Sequence, residues 1–322
     1  MPNFNGVWSL TTQAQYASDW PVPPQFALVM GGAIQTSTAK TNVVQRFDTL
    51  STATAVDFGD LLAAKQDAAG FGSTTVGFCA GGRPADNTRV DVIETHSYQN
   101  SATIVDFGNL TAANRQPTGL SNSTRGVISG GDEDGSVNVL QYVTMASAGN
   151  ATDFGDSTNA HRASAACASS TRGITFMGES DSALLNIIDY ITIGSTGNAT
   201  DFGDMTVTHN NHCGFSNSTR GIRAAGSSGG GYHNEIDYIT IASTGNATDF
   251  GDLLDVNNGP TGFCNSTHGF IAGGENLNDS VALDTIQRIT IASTGNAADY
   301  ADLVTAVKRR PAAASSAHGG LA

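Results

Sequence analysis

One unit of about 48 residues recurs six times along this chain of 322 residues, and this internal period constrains the fold more strongly than any other feature. Each copy carries the phrase Asp-Phe-Gly or a degenerate form of it, beginning at Asp57, Asp106, Asp153, Asp201, Asp249 and Asp299. Successive copies are separated by 49, 47, 48, 48 and 50 residues. Such a period is typical of solenoids and propellers, in which each repeat forms one supersecondary unit.

Each unit contains four short strand-like segments and no segment with helical periodicity. In the third complete unit these segments are residues 163–168, 173–177, 186–193 and 199–202. The third segment is rich in β-branched and aromatic residues, which favour strands. A Ser-Thr-Gly-Asn turn at 195–198 follows it, and these residues tolerate positive φ. We therefore predict an all-β fold with four strands per repeat.

The first and last copies are incomplete in complementary ways. The N-terminal copy begins at a second strand, residues 26–30, and the C-terminal copy ends with a first strand within 311–317. Together they make one whole blade, which would close a ring and remove free strand edges, whereas an open solenoid would need polar caps instead. The sequence predicts a six-bladed β-propeller over residues 26–322, closed by a blade shared between the two termini.

Charge and composition exclude several classes of function. The net charge is −14, so we expect no nucleic-acid partner, because phosphate backbones bind cationic surfaces. No apolar run approaches the roughly 20 residues of a membrane helix, so no membrane insertion is expected. The N-terminus lacks the features of a signal peptide, which predicts cytoplasmic synthesis. The four cysteines form no metal-binding spacing, and we interpret them as small buried hydrophobes, with a disulfide or metal site as the alternative.

The connections between strands one and two and between strands three and four define what we call the constant face, because their sequences are nearly identical in every copy. The phrase Ser-Thr-Arg-Gly or a variant of it predicts a ring of cations on this face, formed by Arg125, Arg172, Arg220, His268 and His318. This ring could dock an acidic partner or hold an anion. The alternative is structural, with each arginine bonded to neighbouring carbonyls or to the aspartate of an adjoining Asp-Phe-Gly phrase.

The remaining connections, from strand two to three and from strand four to one, differ in every copy and define the variable face. Loops that diversify on a repeating scaffold are typical of recognition surfaces, although drift on an unused face gives the same pattern. The candidate ligand-binding residues are Arg115, His161, Arg162, His209, Asn210, Asn211, His212, Tyr232, His233, Asn257 and Asn258. Their donors and acceptors suit sugar hydroxyls. The net charge of −14 opposes adhesion to anionic envelopes, so we expect a specific neutral glycan or a protein neighbour rather than general electrostatic capture.

Residues 1–25 precede the repeats and have a different composition. Both tryptophans lie here, within the aromatic set Phe4, Trp8, Tyr16 and Trp20. Prolines at 21, 23 and 24 predict an extended, stiff exit from this segment. Because Trp and Tyr are favoured interface anchors, we predict a docking arm. The alternative is an arm folded back across its own ring.

The sequence carries no recognisable catalytic constellation, and we predict no enzyme, no cofactor and no metal site. Asp-Phe-Gly occurs without the other protein-kinase motifs, so we interpret it as structural. Two alternatives stay open. Asp132-Glu133-Asp134 could touch Ca²⁺, although the EF-hand spacing is missing. Paired carboxylates, or a cluster of His161, His209 and His212, could serve a glycan depolymerase.

Two resemblances narrow the interpretation. One is to the Kelch repeat, which the chain resembles in the Gly-Gly pairs after second strands and in two later aromatic positions, Tyr142, Tyr190 and Tyr238 followed by Phe154, Phe202 and Phe250. The spacing departs from that repeat, because 12 residues separate Tyr190 from Phe202, nearly twice the Kelch interval. This resemblance implies strand order and fold alone. Residues 238–252, the opening Gly-Val-Trp-Ser-Leu at 6–10 and Trp20-Pro21 resemble repeat proteins of tailed bacteriophages, especially marine ones.

The phage resemblance covers nearly the whole chain and implies a virion structural protein made in the host cytoplasm and present in multiple copies per particle. We expect a tail-associated fibre or adhesin module whose variable face contacts a host surface glycan and whose arm binds other tail or capsid proteins. One alternative is a purely structural collar, decoration or adaptor subunit. Another is a cytoplasmic Kelch-type interaction protein unrelated to virions.

Overall fold

The computed structural model describes residues 24–34, 39–101, 104–276 and 281–321. The strands of the first two blades, with the small sheet between them, are β1 (Phe26–Met30), β2 (Val43–Asp48), β3 (Val56–Asp60), β4 (Lys65–Gln66), β5 (Ala69–Gly72), β6 (Val76–Ala80), β7 (Arg83–Pro84), β8 (Val90–Ser97) and β9 (Ile104–Asn114). Those of the next two are β10 (Thr118–Ser121), β11 (Arg125–Ser129), β12 (Val137–Thr144), β13 (Thr152–His161), β14 (Ala165–Ala168), β15 (Arg172–Phe176), β16 (Ile187–Thr192) and β17 (Thr200–Asp204).

The remaining strands complete the last two blades and return to the first. They are β18 (Cys213–Ser216), β19 (Arg220–Ala224), β20 (Ser227–Ser228), β21 (Gly231–Thr240), β22 (Thr248–Asn257), β23 (Thr261–Cys264), β24 (His268–Ala272), β25 (Leu283–Thr290), β26 (Ala298–Val307) and β27 (Ala312–Ser315). A single turn of 3-10 helix, Gly319–Leu321, follows β27. Within the described part of the chain, no helix is long and apolar enough to cross a membrane.

These strands form six antiparallel blades of four strands, which confirms the predicted all-β propeller. In chain order the blades are β27-β1-β2-β3, β5-β6-β8-β9, β10-β11-β12-β13, β14-β15-β16-β17, β18-β19-β21-β22 and β23-β24-β25-β26, numbered one to six below. The two short pairs, β4 with β7 and β20 with β21, lie in the connections of the variable face. Strand boundaries differ from the predicted segments by one to two residues.

Ring closure takes the predicted form, with the first strand of blade one supplied by the C-terminus. Strand β27 pairs antiparallel with β1, and Leu28 lies opposite Ala314 in the register. The bond from the Ser316 amide to the Phe26 carbonyl, 2.9 Å long, extends this pairing beyond the strand. The first blade therefore combines one strand from the C-terminal part of the chain with three from the N-terminal part, and this pairing closes the ring.

The six first strands surround the propeller axis, and their central residues are small. Each neighbouring pair of these strands is in contact, from β5 through β10, β14, β18 and β23 back to β27. A Cβ atom on Gly70 would lie 2.2 Å from the carbonyl oxygen of Ala313, a distance that real Cβ atoms do not show. The axial channel is therefore narrow, with two cavities of about 60 Å³ each along its length.

Apolar side chains fill the spaces between neighbouring blades. One such cluster joins Phe78 of blade two to Ile128 and Val143 of blade three. Within the blades, Tyr142 meets Phe154 edge-on with ring centroids 5.9 Å apart, and the pairs Tyr190–Phe202 and Tyr238–Phe250 repeat this geometry at 6.1 and 6.0 Å. All four cysteines are free and buried.

Candidate ligand site on the variable face

The constant face owes its repeated sequence to hydrogen bonds between neighbouring blades. The Gly197 amide donates to the Phe154 carbonyl and the Ala199 amide to the Asp156 carbonyl, both at 2.7 Å, and the Asn198 side-chain oxygen accepts from the Asp156 amide at 3.1 Å. The same three bonds recur between blades two and three, four and five, and five and six. The Asp-Phe-Gly and Gly-Asn-Ala phrases are therefore complementary halves of one blade-to-blade contact.

The arginines of the predicted cation ring also join neighbouring blades. The Arg172 guanidinium lies over the Tyr190 ring, 4.3 Å from its centroid, and donates to the carbonyl of Ile241 in the next blade at 2.8 Å. Arg125 and Arg220 make the equivalent pairs of contacts in blades three and five. Their geometry corresponds to the structural alternative, in which each arginine bonds to a neighbouring carbonyl.

The two histidines of that ring lie in different surroundings. His268 occupies the arginine position of blade six, where burial and the neighbouring Arg288 lower the pKa of its imidazole. His318 does not occupy this position, which is a correction to the sequence prediction. Phe26 takes the equivalent place in blade one, because the chain is interrupted between the first and second strands there.

His318 instead lies inside the axial channel on the constant side. Its Nε2 atom lies 2.9 Å from the Gly72 carbonyl oxygen and 3.2 Å from the Ser121 hydroxyl. Burial lowers the pKa of this imidazole. The C-terminal residues Gly319 and Gly320 follow it among the first strands and are buried, so the chain terminus obstructs the channel from this face.

On the variable face, four of the predicted ligand residues are buried beneath the loops, which corrects the expectation that they are available to a ligand. His161, His209 and Asn257 each lie four positions before a first strand, in blades four, five and six, and all three side chains are buried. His161, His209, His212 and Asn257 are each at most 4 % exposed. Asn257 donates to the Gly273 carbonyl and accepts from the Glu275 amide, so its amide connects blade five to blade six.

The chain segments that enter the first strands form a closed ring of backbone hydrogen bonds around the axis. The Gln116 amide donates to the Asp67 carbonyl, Ala163 to Gln116, and Asn211 to Ala163, at 2.8 to 3.2 Å. The Gly259 amide then donates to the Asn211 carbonyl, and the Arg310 amide donates to the Gly259 carbonyl. The Asp67 amide donates to the Arg309 carbonyl and closes the circle. Every donor has positive φ, between 52° and 64°. Five of the six are not glycine, so the ring stabilises a backbone conformation that is otherwise unfavourable.

Above this ring, the mouth of the channel opens as a polar cavity of about 260 Å³, which we call the axial crater. It is lined by Asp67, Arg83, Arg115, Gln116, Arg162, Glu179, Asn211, Asn258, Gly259 and Arg309. Four arginines thus face two carboxylates in a protein whose net charge is −14. Arg310 lies buried just below, donating to the carbonyls of Gln116 and Ser164.

Two of the crater arginines are positioned by carboxylates behind them. Arg115 donates through Nε and Nη2 to Asp132 Oδ2, at 3.0 and 2.7 Å. Arg162 donates through Nε to Glu179 at 3.0 Å and through Nη1 to Asp181. Burial raises the pKa of Asp132, but hydrogen bonds from Arg115 and Arg89 outweigh it and hold that pKa well below its ordinary value. These ion pairs fix the guanidinium planes at the crater rim.

The other two crater arginines have unsatisfied donors. The Nε atoms of Arg83 and Arg309 are buried and have no hydrogen-bond partner among the described residues. Arg83 lies 3.5 Å from Asp67 Oδ2, an ion pair beyond hydrogen-bond quality. A buried donor without an acceptor costs about 1–3 kcal/mol, so an anion bound in the crater would be stabilised by these groups.

The remaining predicted residues of this face take part in loop contacts. The Tyr232 hydroxyl donates to Glu275, and Asn210 donates to Glu179 Oε2 at 2.6 Å. In the acidic segment 132–134, a candidate for Ca²⁺ binding, Asp132 and Asp134 both accept hydrogen bonds from Arg89. His161 lies at the entry to blade four, and His209 and His212 lie together on the connection into blade five. Each of these histidines has a pKa lowered chiefly by burial.

The sequence predicted Arg115, Arg162, Asn211 and Asn258 of the crater but not Asp67, Arg83, Gln116, Glu179, Gly259 and Arg309. Eight of the ten lining residues lie two or three positions before a first strand, and this position is the signal that could have found them. Arg83 and Glu179 lie instead in connections between second and third strands. The predicted docking arm, with Phe4, Trp8, Tyr16 and Trp20, lies outside the described residues. No family model matches the chain, and no curated protein matches it in sequence.

Proposed function

We propose that this chain is a recognition module that binds an acidic saccharide in its axial crater. The observation that carries the proposal is the pair of buried Nε donors on Arg83 and Arg309, which line the crater and lack acceptors among the described residues. A sugar carboxylate supplies two acceptor oxygens to such groups. The amides of Gln116, Asn211 and Asn258 line the same cavity and match neighbouring sugar hydroxyls.

The charge of the crater argues for an anionic ligand rather than the neutral glycan that the sequence favours. The protein as a whole repels anions, with a net charge of −14, so long-range attraction does not explain binding of an anion. The crater arginines are partly buried, with the side chains of Arg83, Arg115 and Arg162 20, 29 and 22 % exposed, so their charges are screened less than those of fully exposed groups. Binding in the crater would therefore be selective for a saccharide that fits it, not for polyanions in general.

We further propose that the module belongs to a bacteriophage virion, as a Kelch-like tail-associated fibre or adhesin that presents its variable face to the host surface. The resemblance of residues 238–252 to phage repeat proteins supports this assignment, and so does the division of the propeller into a constant and a variable face. Residues 1–25 would bind other virion proteins. In this scheme the chain is not an enzyme, and its ligand is held rather than cleaved.

The test compares acidic oligosaccharides from bacterial surface polysaccharides with the same oligosaccharides after reduction of their carboxyl groups. The full chain is titrated with each by calorimetry. We expect binding of the acidic form and at least tenfold weaker binding of the reduced form. The double variant Arg83→Ala/Arg309→Ala should lose at least tenfold in affinity for the acidic form.

The matched control is Arg288→Ala, which removes a cation that lies over the Tyr300 ring in blade six, away from the crater. It should bind as the unmodified protein does, with the fold of each variant checked by circular dichroism. Equal binding of the acidic and reduced forms would contradict an anion site. Absence of any saccharide binding would favour the second candidate, a collar, decoration or adaptor subunit with no host ligand.

The virion assignment has its own test, which is independent of the ligand. Deleting residues 1–20 should leave a folded propeller that no longer enters phage particles, measured by the stoichiometry of the protein in purified particles. Loss of the fold in this variant would contradict the docking arm. Absence of the full-length protein from particles would contradict the virion assignment and leave the cytoplasmic interaction protein as the alternative.

A further inference from the structure

A cluster of two histidines and one glutamate lies in blade five, outside the axial crater. His233 and Glu235 are two residues apart on β21, so their side chains lie on the same side of the strand. His209 approaches them from the connection that precedes β18. One potential ligand atom from each of the three residues lies within 4.8 Å of the other two.

Hydrogen bonds orient the two imidazoles within this cluster. The rings of His209 and His233 stack with centroids 3.8 Å apart and an interplanar angle of 26°. The Ser228 hydroxyl lies 2.8 Å from His233 Nε2, which leaves Nδ1 directed toward Glu235, with Nδ1 and Oε2 separated by 3.5 Å. A second hydrogen bond of this kind is how proteins fix the orientation of metal-binding histidines.

The glutamate has an unsatisfied oxygen that a cation would neutralise. Glu235 Oε2 is buried and has no hydrogen-bond partner among the described residues. Burial, with smaller contributions from Arg223 and His233, lowers the pKa of His209 to about 4, so its imidazole is neutral at neutral pH. Metal ligands must be deprotonated in this way.

The nearby cation Arg223 does not cancel the charge of the site. Its Nη1 atom lies 3.4 Å from His209 Nδ1, but its Nη2 atom forms an ion pair with the buried Asp237. These two charges compensate each other, and Glu235 contributes the remaining negative charge. On one side the cluster borders a cavity of about 360 Å³, lined by Asn186, Thr206, Val207, Thr208, His209 and Ser228.

From this geometry we propose that His209, His233 and Glu235 form a binding site for a divalent transition metal of the Zn²⁺ class. Two imidazoles and a carboxylate are a donor set that suits Zn²⁺, Co²⁺ or Ni²⁺, whereas Ca²⁺ and Mg²⁺ prefer oxygen ligands alone. Three protein ligands would leave a fourth position for water, and His209 and Ser228 border the cavity. The site would fasten the β20–β21 hairpin of the variable face to the connection that carries His209.

His161 provides a natural comparison, because it occupies the position of His209 one blade earlier. Both lie four residues before a first strand. The ring nitrogens of His161, however, meet the hydroxyl of Ser164 at 2.8 Å and those of Ser129 and Ser157 at 3.1 and 3.2 Å. His161 is thus fully bonded within the protein, and no metal is proposed there.

The experiment titrates the full chain, stripped with a chelator, with Zn²⁺ by calorimetry and with Co²⁺ by visible absorption. We expect one equivalent of either metal per chain and at least tenfold weaker binding to Glu235→Gln. The control His161→Gln should bind as the unmodified protein does. This site and the axial crater are lined by different residues, so failure of either proposal leaves the other standing.

A measurement on the unmodified protein keeps the proposal testable even if a variant fails to fold. In NMR spectra of the imidazole nitrogens, Zn²⁺ should shift the signals of His209 and His233 and leave those of His161 and His212 unchanged. The proposal is overturned if the folded protein binds no Zn²⁺ at micromolar concentrations, if the shifts fall on other histidines, or if a folded Glu235→Gln variant binds with undiminished affinity.

Discussion

Arginine occurs on both faces of the propeller, in two opposite environments. On the constant face, Arg172 lies flat on Tyr190 and donates to a carbonyl of the next blade. On the variable face, Arg83 and Arg309 border a solvent-accessible crater with buried donors that lack partners among the described residues. The constant-face arginine thus joins two blades, whereas the two variable-face arginines keep donors without partners among the described residues.

The same contrast explains why one face repeats its sequence and the other does not. Each connection between strands three and four bonds to the fourth strand of the preceding blade, so a change in one copy must be accepted by its neighbour. Variable connections also bond across blades, as in the pairs Arg89–Asp132, Ser136–Asp181 and Asn210–Glu179, but these bonds differ from blade to blade. Substitutions should therefore cost stability in every copy of the constant face, whereas on the variable face the cost depends on the contacts of the particular residue.

We expect the largest loss of stability when a glycine of the constant face is replaced by alanine. Gly155 has a φ of 142°, and a Cβ atom there would lie 2.5 Å from the Gly197 carbonyl oxygen of the next blade. Gly155→Ala should lower the free energy of unfolding by about 3 kcal/mol or more. Gly230→Ala, in a variable loop where a Cβ meets no atom of the described residues within 4 Å, should change the free energy of unfolding by about 0.5 kcal/mol or less. Urea denaturation measures both, and equal effects would remove the distinction between the faces.

We expect lowering the pH to reduce the stability of the fold, mainly by protonating the histidines buried beneath the variable face. Burial and the nearby Arg310 lower the pKa of His161 to about 4. Because the unfolded chain titrates near 6.5, it binds more protons than the folded protein between these values, so stability is full above pH 6.5 and falls as the pH drops toward 4. At pH 4.5, His161 alone should lower the free energy of unfolding by on the order of 2 kcal/mol relative to pH 7.

The control for this effect is a histidine of the constant face. His161→Gln cannot titrate, so its loss of stability between pH 7 and 4.5 should be smaller than that of the unmodified protein. His268→Gln should reduce the acid loss less, since His268 is only half-buried. Urea denaturation at the two pH values gives the comparison. An unchanged pH dependence in His161→Gln would show that His161 is not responsible.

We expect the smallest changes in stability when an arginine of either face is replaced by alanine. Arg172→Ala removes a cation–π contact and a charged hydrogen bond between blades, and it should cost about 2 kcal/mol of stability. Arg83→Ala removes one long ion pair and should cost about 0.5 kcal/mol or less. Thermal and urea denaturation check both values. A larger loss for Arg83→Ala would mean that the crater is a stabilising element rather than a ligand site.

The sequence by itself determined the repeat, the all-β class, the number of blades and the shared closing blade. These features could be predicted because the bonds between Asp-Phe-Gly and Gly-Asn-Ala recur wherever two blades meet and so leave the same local phrase in each copy. The aromatic pairs, such as Tyr190 with Phe202, likewise repeat with the period of the chain. The division into a constant and a variable face follows from the alternation of connections in antiparallel blades.

The axial crater and the exposure of individual side chains were decided only by the tertiary structure. Arg83 and Arg309 are more than 200 residues apart in the chain and meet because the ring closes. His161 and Asn257 occupy variable positions yet are buried, since burial depends on the neighbouring blade rather than on local composition. In the sequence His318 corresponds to the arginine of the repeat, but in the structure it lies in the channel, where its Nε2 atom contacts Gly72 and Ser121 of other blades. Such contacts join distant segments, and no local pattern records them.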